Sequence, residues 1–312
     1  MKKLGRADRN TVVAWNALPS RKLVNISDVF IVYDHGLSSI HKPQLENRQK
    51  LSLASSIVCI SRANEILLRE RWDWQGKTSV VMNPLRGQLA DAPLPETPRS
   101  LPNGPITLGC TARLVSFKGI ASAVLALAIL RKRFDVRLKI AGDGEEMENL
   151  RTTSIRLGLE DFVEFSGLIE DVPAFLQSVD IFLAPSLREP FGLSPLEAMA
   201  MGIPTVLTAV DGHADVLPFP GAATLLEPTL SLDKYQALGA SKRRMPLFVY
   251  SPLTNELVPP KALDPESLAV AIEDILNSFA DHAQTALEAG RQIRIRNSMA
   301  KYVSSLNIAL AK

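Results

Sequence analysis

The chain has 312 residues, 46% apolar and 22% charged, a length for about two domains and the composition of an ordinary globular protein. Its formal net charge of +2 argues against nucleic acid as a general partner. No stretch approaches the roughly 18 consecutive apolar residues of a transmembrane helix, and the basic N-terminus MKKLGRADRN lacks the apolar core of a secretory signal.

In chain order, the apolar runs Thr11–Ala14, Val29–Tyr33, Ile57–Ile60 and Ser79–Met82 read as buried parallel strands. Arg62–Trp72 carries apolar residues at helical spacing, so strands alternate with helices as in an α/β domain. Residues 84–105 hold prolines at 84, 93, 95, 98, 102 and 105 with little periodicity, and read as a linker. Beyond it come a strand at Ile106–Cys110, a helix from Ala121 to about Lys132, a strand at Val136–Ala141 ending in Gly142-Asp143-Gly144, and a helix to about Leu157. Next are a strand at Val163–Phe165, a helix over Pro173–Val179 and a strand at Asp180–Ala184. A short helix leads to a strand over Ile203–Thr208. Residues 218–262 are proline-rich and irregular, and two helices, about 265–280 and 283–306, close the chain. Cys59 and Cys110 lie in apolar runs and read as buried free thiols of a reducing cytosol.

The stretch Pro185–Leu217 organises the rest. Glu189 follows one predicted strand and Glu197 lies in the first turn of the next helix, so both belong to the carboxyl ends of the strands, where open parallel sheets bind ligands. Ser194-Pro195-Leu196-Glu197 also spells a capping box, with Ser194 as N-cap and Glu197 three residues on. Capping and ligand binding are both open to Glu197. Arg113 and Lys118 sit on a strand-to-helix loop, where cations beside a helix N-terminus make an anion site. The histidines at 35, 41, 213 and 282 are scattered, no His/Asp/Glu set has metal-ligand spacing, and neither Gly-x-Ser-x-Gly nor a P-loop occurs.

PSLREPFGLSPLEAMAMGIPTV resembles the Glu-x7-Glu signature of retaining glycosyltransferases of family four, which have the two-domain GT-B architecture. The resemblance implies an α/β fold of two Rossmann-like domains facing a cleft: an acceptor-side domain over 1–97, a nucleotide-sugar-binding domain over 98–283, and a helix over 284–312 returning to the first. It implies transfer of a sugar, with retention, from a nucleotide diphosphate donor to a glycan or lipid-linked acceptor, as in envelope polysaccharide or lipopolysaccharide synthesis. Arg113 and Lys118, similar to the family's Gly-Arg-Leu…Lys-Gly motif, would stabilise the leaving diphosphate. Glu189 would hold donor-sugar hydroxyls together with the backbone around Phe191, Gly192 and Leu193. Glu197 would hold the ribose, Gly142 would lie near the nucleotide, Leu168 and Ile169 near the base, and His35 would reach the donor sugar. No metal or other cofactor is expected.

Members of that family open with a strand and a Gly-rich loop that this sequence lacks, so the first domain is expected to be shortened, with self-association through its open edge. A non-catalytic nucleotide-sugar-binding accessory protein and a nucleotide-sugar epimerase are the alternatives. The expected location is cytoplasmic. Lys and Arg outnumber Asp and Glu over 1–97, with Arg62, Arg69 and Arg71 on one predicted helix, which suggests peripheral contact with an anionic membrane.

Overall fold

The computed structural model describes residues 10–40 and 42–311. They form two compact units, one of the described residues up to Met82 with those from Tyr302 on, the other Asn83–Lys301. The sequence-based boundaries at 97 and 283 fall inside the second unit.

In the first unit, β1 (Thr11–Trp15), β2 (Val29–Asp34), β3 (Ser56–Cys59) and β4 (Lys77–Val80) make a parallel sheet in that order. Phe30, Val32, Ile57 and Cys59 pack with Leu68, Trp72 and Trp74 beneath it. The helix Arg62–Trp72 occupies the predicted residues. Ser61 caps its start by accepting from the Asn64 amide at 3.1 Å, and Asp73, in the left-handed region at φ 54°, ends it. Trp72 Nε1 donates to Ser38 O at 2.9 Å, which satisfies the indole inside the core.

The second unit is built on β5 (Ile106–Thr111), β6 (Val136–Ala141), β7 (Val163–Gly167), β8 (Ile181–Ala184), β9 (Thr205–Thr208) and β10 (Thr224–Leu226). All pairings are parallel and the strand order is β10-β9-β8-β5-β6-β7. The helix Ile120–Leu130 is almost wholly buried, because its small and aliphatic residues let it lie between the sheet and the helix Pro265–Asn277. Both cysteines are buried free thiols, as expected.

Three sequence expectations are corrected. The proline-rich stretch after Asn83 is anchored: it contains the helix Gly87–Asp91 with Leu89 fully buried, and the Leu85 amide donates to Asn297 O at 2.9 Å. Part of 218–262 belongs to the main sheet as β10, and the rest holds a helix, Leu232–Ala237, and an antiparallel hairpin, β11 (Val249–Ser251) with β12 (Glu256–Val258). Three helices close the chain: Pro265–Asn277, Phe279–Arg296 and Met299–Leu310. The breaks come at Ser278, whose backbone leaves helical geometry, and at Asn297, whose Nδ2 donates to Asn83 O at 2.9 Å.

Candidate active site

Strand β5 lies between β6 and β8, so the chain leaves it in opposite directions on its two sides. This is the switch point of a doubly wound sheet, where the loops after two neighbouring strands part and leave room for a ligand. The loop after β5 turns through Ser116–Lys118 and Gly119, and the loop after β8 begins at Pro185. Gly119 adopts φ 67°, and a Cβ there would stand 1.9 Å from Pro185 O, so only glycine fits. The Leu187 amide donates to Phe117 O at 2.8 Å. The two loops are thereby locked together, and Lys118 Nζ pairs with Glu189 Oε2 across the switch point.

Backbone and side chains around Glu189 are held from a third loop, the one after β9. The Glu189 amide donates to Asp211 Oδ2 at 2.9 Å, and the Gly212 amide donates to Glu189 O at 2.9 Å. Asp211 itself takes a left-handed backbone at φ 43° and also accepts from the Tyr250 amide at 2.8 Å. His213, fully buried, sits with Nδ1 2.8 Å from Thr208 O. A carbonyl only accepts, so Nδ1 carries the proton and Nε2 of the neutral ring presents a lone pair. That Nε2 lies 3.9 Å from Glu189 Oε2 and has no hydrogen-bond partner. Gly192 leaves the ring its space: a Cβ there would meet His213 Cδ2 at 2.9 Å.

The electrostatics follow from burial and pairing. Burial opposes ionisation of Glu189, but the Lys118 charge and hydrogen bond prevail and hold its carboxyl below the ordinary carboxylate range. Burial pushes the pKa of His213 down against the pull of Glu189, so the ring is neutral. Burial raises Asp211 to about 6, opposed by the amides of Tyr250 and Glu189. The result is an ionised pair, Lys118 and Glu189, flanked by a neutral imidazole.

Glu197 is placed differently from the capping-box reading. The helix Leu193–Ala200 starts at Gly192, whose left-handed backbone at φ 101° serves as N-cap, two residues before the expected Ser194. Glu197 therefore lies past the first turn, 1% exposed, and both its oxygens accept from Arg86, Oε1 from Nε and Oε2 from Nη2 at 2.5 Å. Burial pushes the Glu197 carboxyl up while the guanidinium draws it back, and the same bond raises Arg86. Asn297 fixes the segment that carries Arg86 through its contacts with Asn83 and Leu85. Arg86, Asp211, His213 and Asn297 carried no local sequence signal. A lone arginine in a proline-rich stretch says nothing of a glutamate far along the chain.

The other candidates divide. Arg113 is exposed on the loop that bears Lys118. Gly142, at φ 135°, and Gly144 are required by packing, since Cβ atoms there would stand 1.8 Å from Ala112 O and 2.4 Å from Leu114 O; they shape the Arg113 loop from behind. Leu168 is 81% exposed and Ile169 half-buried just past β7. Phe191 is buried and Leu193 half-buried at the start of the Glu197 helix. His35 belongs to the first unit, stacked against Trp15, and burial lowers its pKa to about 4. His41 lies outside the described residues. Among the described residues no group of three or more His, Cys, Asp or Glu is placed to hold a metal ion, and no helix is long and apolar enough to cross a membrane.

Residues 105–233 match the family model described as Glycosyl transferases group 1. A mannosylfructose-phosphate synthase of Agrobacterium fabrum is 35% identical over 127 residues, 37% of this chain and 28% of that protein. The lipopolysaccharide core biosynthesis glycosyltransferase LpsD of Rhizobium meliloti is 26% identical over 218 residues, 70% of this chain and 60% of that one. The matched segments thus span less than two thirds of these relatives' own length. Among solved structures, HepE of Anabaena in complex with UDP superimposes with a TM-score of 0.66 at 19% identity, over 91% of this chain and 72% of that one. Sucrose-phosphate synthase of Thermosynechococcus elongatus gives 0.66 at 20% identity, over 92% and 68%. Over residues 105–233, then, the chain is similar to the group 1 glycosyl transferases, and its described residues take a GT-B-like α/β fold with parallel sheets.

Proposed function

We propose that this protein is a retaining glycosyltransferase that moves a sugar from a nucleotide diphosphate donor to a glycan or lipid-linked acceptor of the cell envelope. One observation carries the reading: an ionised Lys118–Glu189 pair stands at the sheet's switch point, inside the segment that matches the family model. Lys118 and Arg113 supply positive charge on one loop, where a departing diphosphate develops negative charge. Glu189, fixed by Lys118 and by the Asp211 loop, accepts from donor-sugar hydroxyls. The carboxylate of Glu197 serves the ribose hydroxyls, for which Arg86 has to give way. The acceptor attacks on the face from which the diphosphate leaves, and a phosphate oxygen of the donor takes its proton. The sequence similarity to the lipopolysaccharide core enzyme supports an envelope glycan as acceptor. The excess of basic residues near the N-terminus supports work at the cytoplasmic face of a membrane, although Arg69 is engaged by Glu65 and Thr78.

The test separates phosphate from sugar recognition. Replacing Arg113 and Lys118 together by Ala should weaken binding of UDP, GDP or ADP far more than binding of the matching nucleoside, by calorimetry. Wild-type protein incubated with nucleotide sugars and acceptor glycans should give product with the donor's anomeric configuration, read by NMR. Inversion would overturn the retaining mechanism, and equal loss for diphosphate and nucleoside would remove the cations from the leaving-group site.

A further inference from the structure

His213 stands in the wall of the site without a part in the transfer. It lies on the short turn Asp211–His213 after β9 and is fully buried. Its Nδ1, 2.8 Å from Thr208 O, carries the proton of the neutral ring. That bond fixes the plane of the imidazole and aims Nε2 at Glu189 Oε2, 3.9 Å away. The two atoms that face each other are therefore both acceptors, and no hydrogen bond joins them. Nε2 is shut off from solvent, so only a proton can enter between them. Glu189 can deliver one, since its side chain retains 11% exposure.

Lys118 is what makes that proton unnecessary. Its ammonium, and the Ser186 hydroxyl at 3.4 Å, address the same Oε2 that His213 faces. Two charges thus act on the ring in opposite senses, Glu189 drawing a proton to it and Lys118 repelling one. The other charges nearby are engaged elsewhere. Asp211, acted on by the Arg188 charge, gives its oxygens to the amides of Glu189 and Tyr250. Asp215 and Arg296 draw on each other, and the Leu193–Ala200 helix brings Gly192 against the ring. The protonation of His213 therefore follows the position of Lys118. Burial opposes ionisation of Glu189, so a carboxylate that lost its lysine would need another cation to remain an acceptor.

We propose that His213 is a positioning residue for Glu189: when an anion draws Lys118 away, Nε2 takes up a proton and the imidazolium replaces the ammonium as the carboxylate's partner. The proton comes from water through Glu189 and ends on Nε2, and no other bond is made or broken. Glu189 closes about 1 Å on the ring, to the roughly 2.8 Å of a charge-assisted hydrogen bond. The inference rests on the transferase reading for the identity of the anion, which is then the donor's diphosphate. On that reading Glu189 stays ionised and in place while its lysine serves the leaving group.

The exchange is read first without a nucleotide. Lys118→Met imitates departure of the ammonium, and proton–nitrogen NMR shows the charge on each imidazole, with His213→Gln assigning the signal. In the wild type His213 should stay neutral near pH 7. In Lys118→Met its titration midpoint should rise by at least about one pH unit. Lys118→Arg should leave the midpoint where it was, and adding Glu189→Gln to Lys118→Met should bring it back down. A ring that stays neutral in Lys118→Met, or a midpoint that stays high without Glu189, would overturn the proposal.

Calorimetry then supplies the anion, and it decides the matter should Lys118→Met fail to fold. UDP-glucose, GDP-mannose and ADP-glucose carry no phosphate that titrates near pH 7, and each is bound in buffers of different ionisation enthalpy. Binding of at least one should take up about one proton per site in the wild type and none in His213→Gln. Binding without uptake overturns the proposal and spares the donor reading. A raised midpoint in Lys118→Met with none of the three bound does the reverse.

Discussion

Arg86 lays its guanidinium along both carboxylate oxygens of Glu197, a residue 111 positions away in the chain. Glu197 is almost wholly covered while Arg86 remains half exposed, so the arginine can leave and the glutamate cannot. Two substitutions on this pair should agree in stability and disagree in binding. Arg86→Gln and Glu197→Gln should each cost about 1–3 kcal/mol, as a buried hydrogen-bonded group loses its partner. Arg86→Gln should bind nucleoside diphosphate about tenfold more tightly, if the guanidinium leaves Glu197 open about a tenth of the time. Glu197→Gln should bind it more weakly. Denaturant unfolding and calorimetry read the two quantities, and weaker binding in both variants would show that Arg86 assists the ligand.

Lys118 and Glu189 form a pair whose members have little water to fall back on. Lys118→Met should destabilise the protein by about 3–5 kcal/mol, because it leaves a buried carboxylate uncompensated. Adding Glu189→Gln to that variant should recover a large part of the loss. A double variant no more stable than Lys118→Met would mean that the pair's role in stability is packing by the lysine stem.

The Asp211 carboxyl sets a pH dependence. Its folded pKa, raised from 3.8 to about 6, exceeds its unfolded value, so the folded state holds the proton more tightly. Its contribution to stability is therefore most favourable below about pH 4 and falls as pH rises to about 6. Unfolding free energies of wild type minus those of Asp211→Asn should decline over that interval and level off above it. A difference that grows with pH would mean that the folded pKa is depressed.

Chelation gives a simpler readout. If Arg113 and Lys118 meet the diphosphate as proposed, sugar transfer should persist in EDTA. Complete loss, restored by magnesium or manganese, would assign the leaving-group charge to a metal.

Much of the fold was legible because buried parallel strands are short apolar runs, and because Ser61 and Trp72 bracket a helix of clear spacing. The Lys118–Glu189 site was legible in outline, since both residues follow strands at the ligand-binding edge. What escaped notice depended on contacts distant in sequence or on backbone geometry. The segment that brings Arg86 to Glu197 is held by Asn297, near the other end of the chain, through Asn83 and Leu85. Ser194-Pro195-Leu196-Glu197 spelled a helix start correctly in composition, yet the left-handed turn at Gly192 begins the helix earlier and turns Glu197 to another partner. His213 looked like a lone histidine, and only the folded loop brings its Nε2 beside Glu189.

The single carboxylate of Asp211 holds one amide from the Glu189 loop and another from Tyr250, at the first strand of the β11–β12 hairpin. That stretch therefore cannot be exchanged between this protein and a relative as a free-standing cassette. A chimera with one crossover between Asp211 and Tyr250 would join a carboxylate from one parent to an amide shaped by the other, and the mismatch would be felt at Glu189. Recombination points that keep 189–250 within a single parent preserve the three-way junction intact.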